Sequence, residues 1–404
     1  MNEKKSVLIG ITGGIAAYKI ASLVRLFKKA HWNVIVAMTK NAMEFITPLT
    51  FETLSGNPVI TDNFERSLPV YGSMEHISLA DSIDAFVCAP ATGNIIAKAA
   101  SGLADDILST TILALKSETP KIICPAMNVR MYQNPATQEN LRTLHNRGFV
   151  IIEPDAGELA CGVEGKGRLP KEEVIFAVTE REVSGKPLEG RKIIVTSGAT
   201  VEPIDPVRYI TNHSSGKMGL ALAQECWRLG ADVRLISGRD AVPGVTVPQE
   251  RVTSAEEMKD AVMTLIKNEG ADLVIMTAAV ADYTPEQREN QKIKKGEGAL
   301  TLRLKRTPDI ISVIKKECDI PVVGFAAESD HVLDYAREKL KKKGLALIVA
   351  NDITQKEGGF RSDFNRCYVI TPEKTRELER MTKKEAARYI VEEIIEFFKK
   401  KDTQ

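Results

Sequence analysis

Residues 192–222 read KIIVTSGATVEPIDPVRYITNHSSGKMGLAL. A β-branched run closes at Gly198, and a polar stretch then carries Asp205, Arg208, Asn212, Ser214, Ser215, Gly216 and Lys217 into an apolar-periodic segment. Strand, loaded loop, helix is the order that aims backbone N–H groups and a helix dipole at a phosphate or carboxylate. Residues 7–27 repeat the layout. An apolar run ends in Thr12, Gly13 and Gly14, and Ile20, Leu23, Val24 and Phe27 follow at helical spacing. The chain therefore reads as two tandem α/β ligand-binding units, doubly wound and Rossmann-like with mostly parallel sheets.

Outward from these stretches, strand-like runs recur at 34–38, 85–89, 122–124 and 150–152, then at 232–236, 272–276, 322–325, 345–350 and 368–371. The turn-rich SGKPLEG at 184–190 makes a linker, which predicts domains at 1–189 and 190–404. Residues 155–170, with four glycines and no periodicity, read as a mobile flap. The C-terminal EAARYIVEEIIEFFKK reads as an amphipathic helix.

A chain of 404 residues exceeds what one hydrophobic core normally serves, which agrees with two domains. Its net charge of +1 and 5% aromatic content argue against a nucleic-acid binder, and no apolar run reaches the length of a membrane span. The six cysteines form no C-x-x-C pair, and MNEKKS lacks the apolar core of a secretory signal. The expectation is a cytoplasmic protein with reduced thiols.

The glycines after the first strand are not a full dinucleotide fingerprint, and the next strand ends in Thr39 and Lys40 with no acidic residue for a ribose. A mononucleotide phosphate suits them better; a tight turn that needs glycine for its backbone alone is the competing reading. Two more loops leave strand ends where open α/β sheets bind ligands: PATGN (Pro90 to Asn94) and PAMN (Pro125 to Asn128). His76, one of five histidines, falls just before a helical segment.

GGIAAYK, His76-Ile77, PATGN, PAMN, and Ala160-Cys161-Gly162 followed by Gly165-x-Gly167-Arg168 together resemble the flavin-containing cysteine decarboxylases. Gly93 stands where Ala is common in that family, and Ile95 where some members have Thr. The resemblance implies FMN held by Gly13, Gly14, Ile15, Thr39, Thr92, Asn94, Ser109 and Ala126. It also implies His76 as base, Asn128 as a clamp on the substrate carboxylate, and Cys161 as a proton donor on the flap. In the family chemistry the substrate's thiol end is oxidised to a thioaldehyde, which accepts the electrons released with CO₂. A histidine with a reference pKa near ~6.5 suits removal of the thiol proton, and a cysteine near ~8.5 stays protonated and able to donate.

The second half adds AAVADY with Asp282, KIKK beginning at Lys292, the run Thr307-Pro308-Asp309-Ile310, and GFAAE with Phe325. Asp282 follows a strand and can hold a nucleotide or Mg²⁺ through oxygen. KIKK, like the lysines at 339–343, reads first as a solvated face, though two lysine clusters at one sheet edge would suit a triphosphate. There is neither a Walker A sequence nor a full GxGxxG. This set resembles the phosphopantothenate–cysteine ligases, and with the first half the resemblance to bifunctional coenzyme A biosynthesis proteins covers almost the whole chain.

That resemblance implies ligation of L-cysteine to 4′-phosphopantothenate through an acyl-cytidylate made from CTP with Mg²⁺, followed by decarboxylation to 4′-phosphopantetheine. Lys292 would stabilise charge as the cytidylate forms, and Asn212 would hold the acyl intermediate. Asp282, Lys292, Thr307, Pro308, Asp309, Ile310, Phe325, Lys339 and Lys343 would line the nucleotide site, with Asp282 on the metal. Ser214, Ser215, Gly216 and Lys217 would grip the substrate phosphate. A homo-oligomer is also implied, with trimeric decarboxylase and dimeric ligase contacts that together would build a dodecamer. Competing readings are an NAD(P)-dependent reductase and a non-catalytic flavin-binding regulator.

Overall fold

The computed structural model describes residues 4–61, 75–158, 164–240, 246–295, 299–328, 330–352 and 363–403. The chain divides into two compact units, Met1–Ser184 and Gly185–Gln404.

In the first unit, β1 (Ser6–Ile11), β2 (Asn33–Met38), β3 (Val59–Ile60), β4 (Ala85–Ala91), β5 (Lys121–Pro125) and β6 (Phe149–Ile151) make one sheet in the order β3-β2-β1-β4-β5-β6. Every pairing in it is parallel. Such a sheet is covered on both faces, which is why its central strands are apolar without alternation. Val7, Ile9 and Ile11 join the core that holds Phe27, while Leu8 joins the opposite one with Phe86 and Leu108. Helix Ile20–Lys29 buries Ile20, Leu23, Val24 and Phe27, as their spacing requires. Each such side chain contributes roughly 1.5–3 kcal/mol by leaving water.

The flap expected at 155–170 is instead partly regular. β7 (Asp155–Glu158) and β8 (Glu164–Arg168) pair antiparallel with Gly157 opposite Gly165. Glycine-rich sequence signals a loop, but here glycine serves close approach: a Cβ on Gly165 would lie 2.8 Å from Val129 Cγ2. The Met127 N–H donates to Gly167 O at 3.0 Å, tying this ribbon to the loop after β5.

In the second unit the main strands are β9 (Lys192–Ser197), β12 (Asp232–Ser237), β13 (Gln249–Arg251), β14 (Leu273–Met276), β17 (Val322–Glu328), β18 (Leu347–Asp352), β19 (Phe364–Ile370) and β20 (Thr375–Thr382). Their order is β13-β12-β9-β14-β17-β18-β19-β20. Pairing is parallel as far as β18 and antiparallel across β19 and β20. Two small ribbons, β10 (Val201–Pro203) with β11 (Tyr209–Thr211) and β15 (Tyr283–Pro285) with β16 (Leu304–Arg306), rise from loops that follow β9 and β14.

The expected amphipathic C-terminal segment is the helix Lys383–Thr403. Its Ala386, Ile390, Val391 and Ile394 share a core with Leu222 and Cys226 of helix Lys217–Arg228. Gly219 lets this second helix lie against the sheet, because a Cβ there would come within 2.7 Å of Ser197 and would also strike Thr277 Oγ1. Among the described residues Cys88, Cys124, Cys226, Cys318 and Cys367 are free thiols.

Candidate functional site

Strand order reverses at β9, which lies between β12 and β14, and the loops leaving the carboxyl ends there enclose a cavity of about 950 Å³. On one side it is lined by Asn212, Ser214, Ser215, Gly216 and Lys217. On the other stand Asp282, Thr307, Pro308, Asp309, Ile310, Phe325, Lys339 and Lys343. Motifs separated by more than a hundred residues thus share one space.

Gly216 takes φ +76° and leads straight into helix Lys217–Arg228, whose first N–H groups carry no side-chain cap. That leaves donors and the positive end of the dipole for a ligand anion. Asn212 Nδ2 donates to Val280 O at 3.1 Å and more weakly to Ala279 O at 3.4 Å, which fixes its amide beside the segment leading to Asp282. Thr307 Oγ1 donates to Ala281 O at 2.6 Å and holds the third loop against the same segment.

Electrostatics favour an anionic ligand. Burial pushes the Lys339 pKa below the usual lysine range, against the pull of Glu328, Asp282 and Asp309. Its ammonium donates to Phe325 O at 3.0 Å, so part of its hydrogen-bonding capacity is spent on backbone. Lys343 pairs with Asp309. Burial raises the Asp309 pKa, but bonds from Lys343 and Ser312 outweigh it, and the carboxyl sits below its ordinary range.

Lys292 does not line this cavity; it is exposed. Its neighbour Ile293 is latched instead: Asp205 Oδ2 accepts the Ile293 N–H at 3.2 Å, and Arg208 Nη1 donates to Ile293 O at 3.1 Å. The Asp205 side chain is fully buried and also accepts from the N–H groups of Val207 and Arg208, each at 2.7 Å. Burial pushes its pKa up, yet three backbone donors and Arg208 together hold it below the usual range. The sequence stretch that carries Asn212 therefore also anchors the segment that carries Lys292. Sequence reasoning missed Lys383 and Asn365, which also line the cavity. Lysine at the start of an amphipathic helix carries no signal of burial.

In the first unit, hydrogen bonds gather the loops. Thr12 Oγ1 donates to Pro90 O at 2.6 Å and accepts from the Thr92 N–H at 3.1 Å, and the Ala126 N–H donates to Ala91 O at 3.1 Å. These contacts join Gly13, Gly14, Thr92 and Ala126 at the carboxyl ends of β1, β4 and β5. Gly13 has no room for a side chain, since a Cβ would lie 2.6 Å from Asn41 Cβ. Gly14 is open, with only Thr92 Cγ2 at 4.0 Å from its Cβ position. Thr39 and Thr92 each precede a helix without spending the hydroxyl on a cap, while Ile15 and Asn94 are exposed.

Ser109 is placed differently. It is buried, and its hydroxyl and N–H complete a capping box with Asp106 at the start of helix Ile107–Ala114. Asn128 caps helix Val129–Gln133, its Oδ1 accepting from the Arg130 N–H at 2.9 Å. His76 falls inside helix Glu75–Asp81 rather than before it. The His76 side chain and all of Cys161 lie outside the described residues.

Among the described residues no helix is long and apolar enough to cross a membrane, and no group of three His, Cys, Asp or Glu could hold a metal unaided. Residues 1–184 match the family model described as Flavoprotein, and residues 188–398 match the DNA/pantothenate metabolism flavoprotein C-terminal domain. Three relatives share the name Coenzyme A biosynthesis bifunctional protein CoaBC. That of Bacillus subtilis is 44% identical over 98% of this chain and 97% of its own. That of Vibrio vulnificus is 46% identical over 91% and 92%, and that of Haemophilus influenzae 42% identical over 98% of each. The solved C-terminal domain of a protein of that name aligns with 54% of this chain and 100% of its own length, at 38% identity and a TM-score of 0.46. Since relatives more than 40% identical align with 98% of the chain and each unit matches its own domain model, the chain belongs to the family of bifunctional coenzyme A biosynthesis proteins.

Proposed function

We propose that the second unit joins L-cysteine to 4′-phosphopantothenate using CTP, and that the first unit decarboxylates the product to 4′-phosphopantetheine. Family membership makes the chain a bifunctional enzyme of coenzyme A biosynthesis, with a ligase and a decarboxylase activity. The observation that carries the assignment of sites is the cavity in which Asn212 and the uncapped helix at Lys217 face Asp282, Phe325, Lys339 and Lys343.

Ligation needs activation because a free carboxylate resists attack by an amine. The substrate carboxylate displaces pyrophosphate from CTP, the acyl-cytidylate forms, and the cysteine amine then expels CMP. Lys339 and Lys343 neutralise the nucleotide's phosphates, and Phe325 packs its base. Asn212 holds the acyl intermediate, giving up its weaker 3.4 Å bond to Ala279 O. Lys292, which in the free chain stands outside the cavity, would stabilise charge as the cytidylate forms, carried by the segment that Asp205 and Arg208 hold at Ile293. Mg²⁺ would be held by Asp282 together with nucleotide oxygens, the usual arrangement for an ion that keeps few protein ligands.

The first unit fits FMN at its glycine loop. Gly14 presents bare backbone, and helix Gly93–Ser101 begins beside it with the Thr92 hydroxyl unspent on capping. FMN, when bound there, supplies a two-electron acceptor. His76 takes the thiol proton, Asn128 steadies the carboxylate without adding a charge that would oppose CO₂ loss, and Cys161 returns a proton. Ser109 serves this site by fixing helix Ile107–Ala114. Exposed Ile15 and Tyr18, in the helical turn that follows the same loop, support assembly into a homo-oligomer.

One assay tests the reading. The purified chain is given 4′-phosphopantothenate, cysteine, Mg²⁺ and either CTP or ATP, and pyrophosphate, CO₂ and 4′-phosphopantetheine are followed. CTP-dependent pyrophosphate and stoichiometric CO₂ are expected; flavin absorbance without CO₂ would favour the regulator reading.

A further inference from the structure

Aminolysis of an acyl-cytidylate has a proton problem that Asn212 does not solve, since an amide is no base. The cysteine amine arrives at neutral pH largely as an ammonium, which has no lone pair for attack on an acyl carbon. A base must therefore stand where the amine meets the acyl group. His213 lies in that place. It follows Asn212 directly, lines the same cavity and is solvent-exposed. Its backbone is fixed on both sides. The Asn212 amide donates to Val280 O at 3.1 Å, and the Ser214 N–H donates to Asn212 O at 3.0 Å, closing a γ-turn with His213 at its centre. Arg239 Nη2 then donates to Ser214 O at 2.6 Å. The imidazole stands outside this framework: among the described residues no hydrogen bond, ion pair or ring contact engages it.

Other charged side chains of the cavity are committed elsewhere. Lys217 is paired with Asp363, and Lys343 with Asp309. The Lys339 nitrogen is bonded to Phe325 O, and Asp282 is the proposed metal ligand. Among the described residues lining the cavity, His213 is the one histidine. Imidazole is the side chain that changes protonation near neutrality, with a reference pKa near ~6.5, so it can take a proton from an amine and pass it on to water.

We infer that His213 is a catalytic residue of the ligase, the general base that takes a proton from the cysteine amine as the amide forms. This rests on the function proposed above. The ammonium sheds two protons in all. One passes to water as the free amine forms, and the imidazole takes the other as the new C–N bond closes. The bond from the acyl carbon to the cytidylate oxygen breaks, its electron pair leaves with CMP, and the imidazolium returns its proton to solvent. Successive residues thus divide the step, Asn212 holding the acyl group and His213 meeting the amine.

The test compares the full chain with His213→Ala and His213→Gln in rapid-quench assays containing 4′-phosphopantothenate, CTP and Mg²⁺. Without cysteine, both variants should give a pyrophosphate burst of wild-type size, which also reports a folded cavity. With cysteine, both should form the amide about 10²-fold more slowly than wild type, the range for loss of a general base. Hydroxylamine, whose nitrogen is unprotonated at neutral pH, should still trap the acyl-cytidylate as a hydroxamate at a near wild-type rate. Added imidazole should restore cysteine turnover to His213→Ala more than to His213→Gln, whose side chain fills the vacated space. A wild-type rate with cysteine in both variants would overturn the assignment and leave His213 a solvated side chain. Equal slowing with cysteine and hydroxylamine would overturn it in favour of a structural role for the turn, and loss of the burst would move His213 to the activation step. If the wild-type chain itself gives no burst with CTP, the ligase reading fails instead.

Discussion

The loop after β1 and the loop after β9 occupy the same place in two sheets, at the strand where the order turns back on itself. They solve the anion problem differently. Residues 12–14 pass at once into a helical turn, so the chain offers bare backbone, with Gly13 pressed against Asn41 and Gly14 open. Residues 198–216 make a detour through the β10–β11 ribbon before reaching helix Lys217–Arg228, and the detour brings in Asp205, Arg208 and Asn212. A short connection yields a backbone cradle suited to a resident cofactor. A long one yields side chains that can act on a substrate and, through Asp205, hold another segment in place.

If the long loop acts through side chains, single substitutions there should stop chemistry. Lys292→Gln should lower pyrophosphate release by about 10²–10³-fold, and Asn212→Ala should slow amide formation by a similar factor while acyl-cytidylate accumulates, visible by quench and mass analysis. Near-normal rates for both would break the contrast. If the short loop acts through backbone, the sensitive change is a methyl group. Gly13→Ala should cost about 1–3 kcal/mol by overpacking against Asn41 and cut FMN per chain more than about tenfold. Gly14→Ala should fold normally, as its Cβ meets nothing closer than 4.0 Å. Equal FMN content in the two variants would remove the steric argument.

The latch offers a finer cut. Asp205→Asn weakens the acceptor for three backbone donors and leaves Arg208 without its ion pair, so pyrophosphate release should drop about tenfold, with a stability loss of about 1–3 kcal/mol. A loss of stability without a loss of rate would confine the latch to a structural role. The smallest effect concerns Lys383. Burial, then repulsion from Lys217, hold its pKa below the ordinary lysine value in the folded chain. Its charge therefore costs stability below the folded pKa, and that cost is relieved as pH rises through it toward the unfolded value. Lys383→Met should thus unfold at no lower temperature than wild type near pH 7, with any advantage shrinking at alkaline pH. A lower unfolding temperature would mean that Lys383 stabilises the free fold.

The parallel cores were readable because burial on both faces writes continuous apolar runs such as those of β1, β2 and β9. β20 was not, because TRELERMT is largely exposed and, among its residues, Leu378 alone is fully buried. β7 and β8 escaped notice for a related reason: glycine there serves proximity to Val129, a contact no local pattern records. The ligase loops announced themselves through unusual polar residues after strand ends. Ser109 has a task that its motif does not record, since its hydroxyl completes a helix cap. Lys383 is a second case, since TKKEAAR looks like any solvated helix start until the fold brings it beside Lys217.

Gly219 has a bearing on how an inhibitor would age in use. Gly219 and Thr277 line the cavity, and Gly219 has no slack against the sheet behind it, because any side chain at this position collides with Ser197 and Thr277. Thr277 is committed as well, its hydroxyl donating to Thr196 O. A compound whose main contacts are with Gly219 and Thr277 would face atoms that the protein cannot readily exchange and still fold. Resistance would have to arise at other lining positions such as Phe325 or Lys343, where, on the function proposed above, a change would also weaken the grip on the nucleotide. Escape from such a compound would carry its own penalty in turnover.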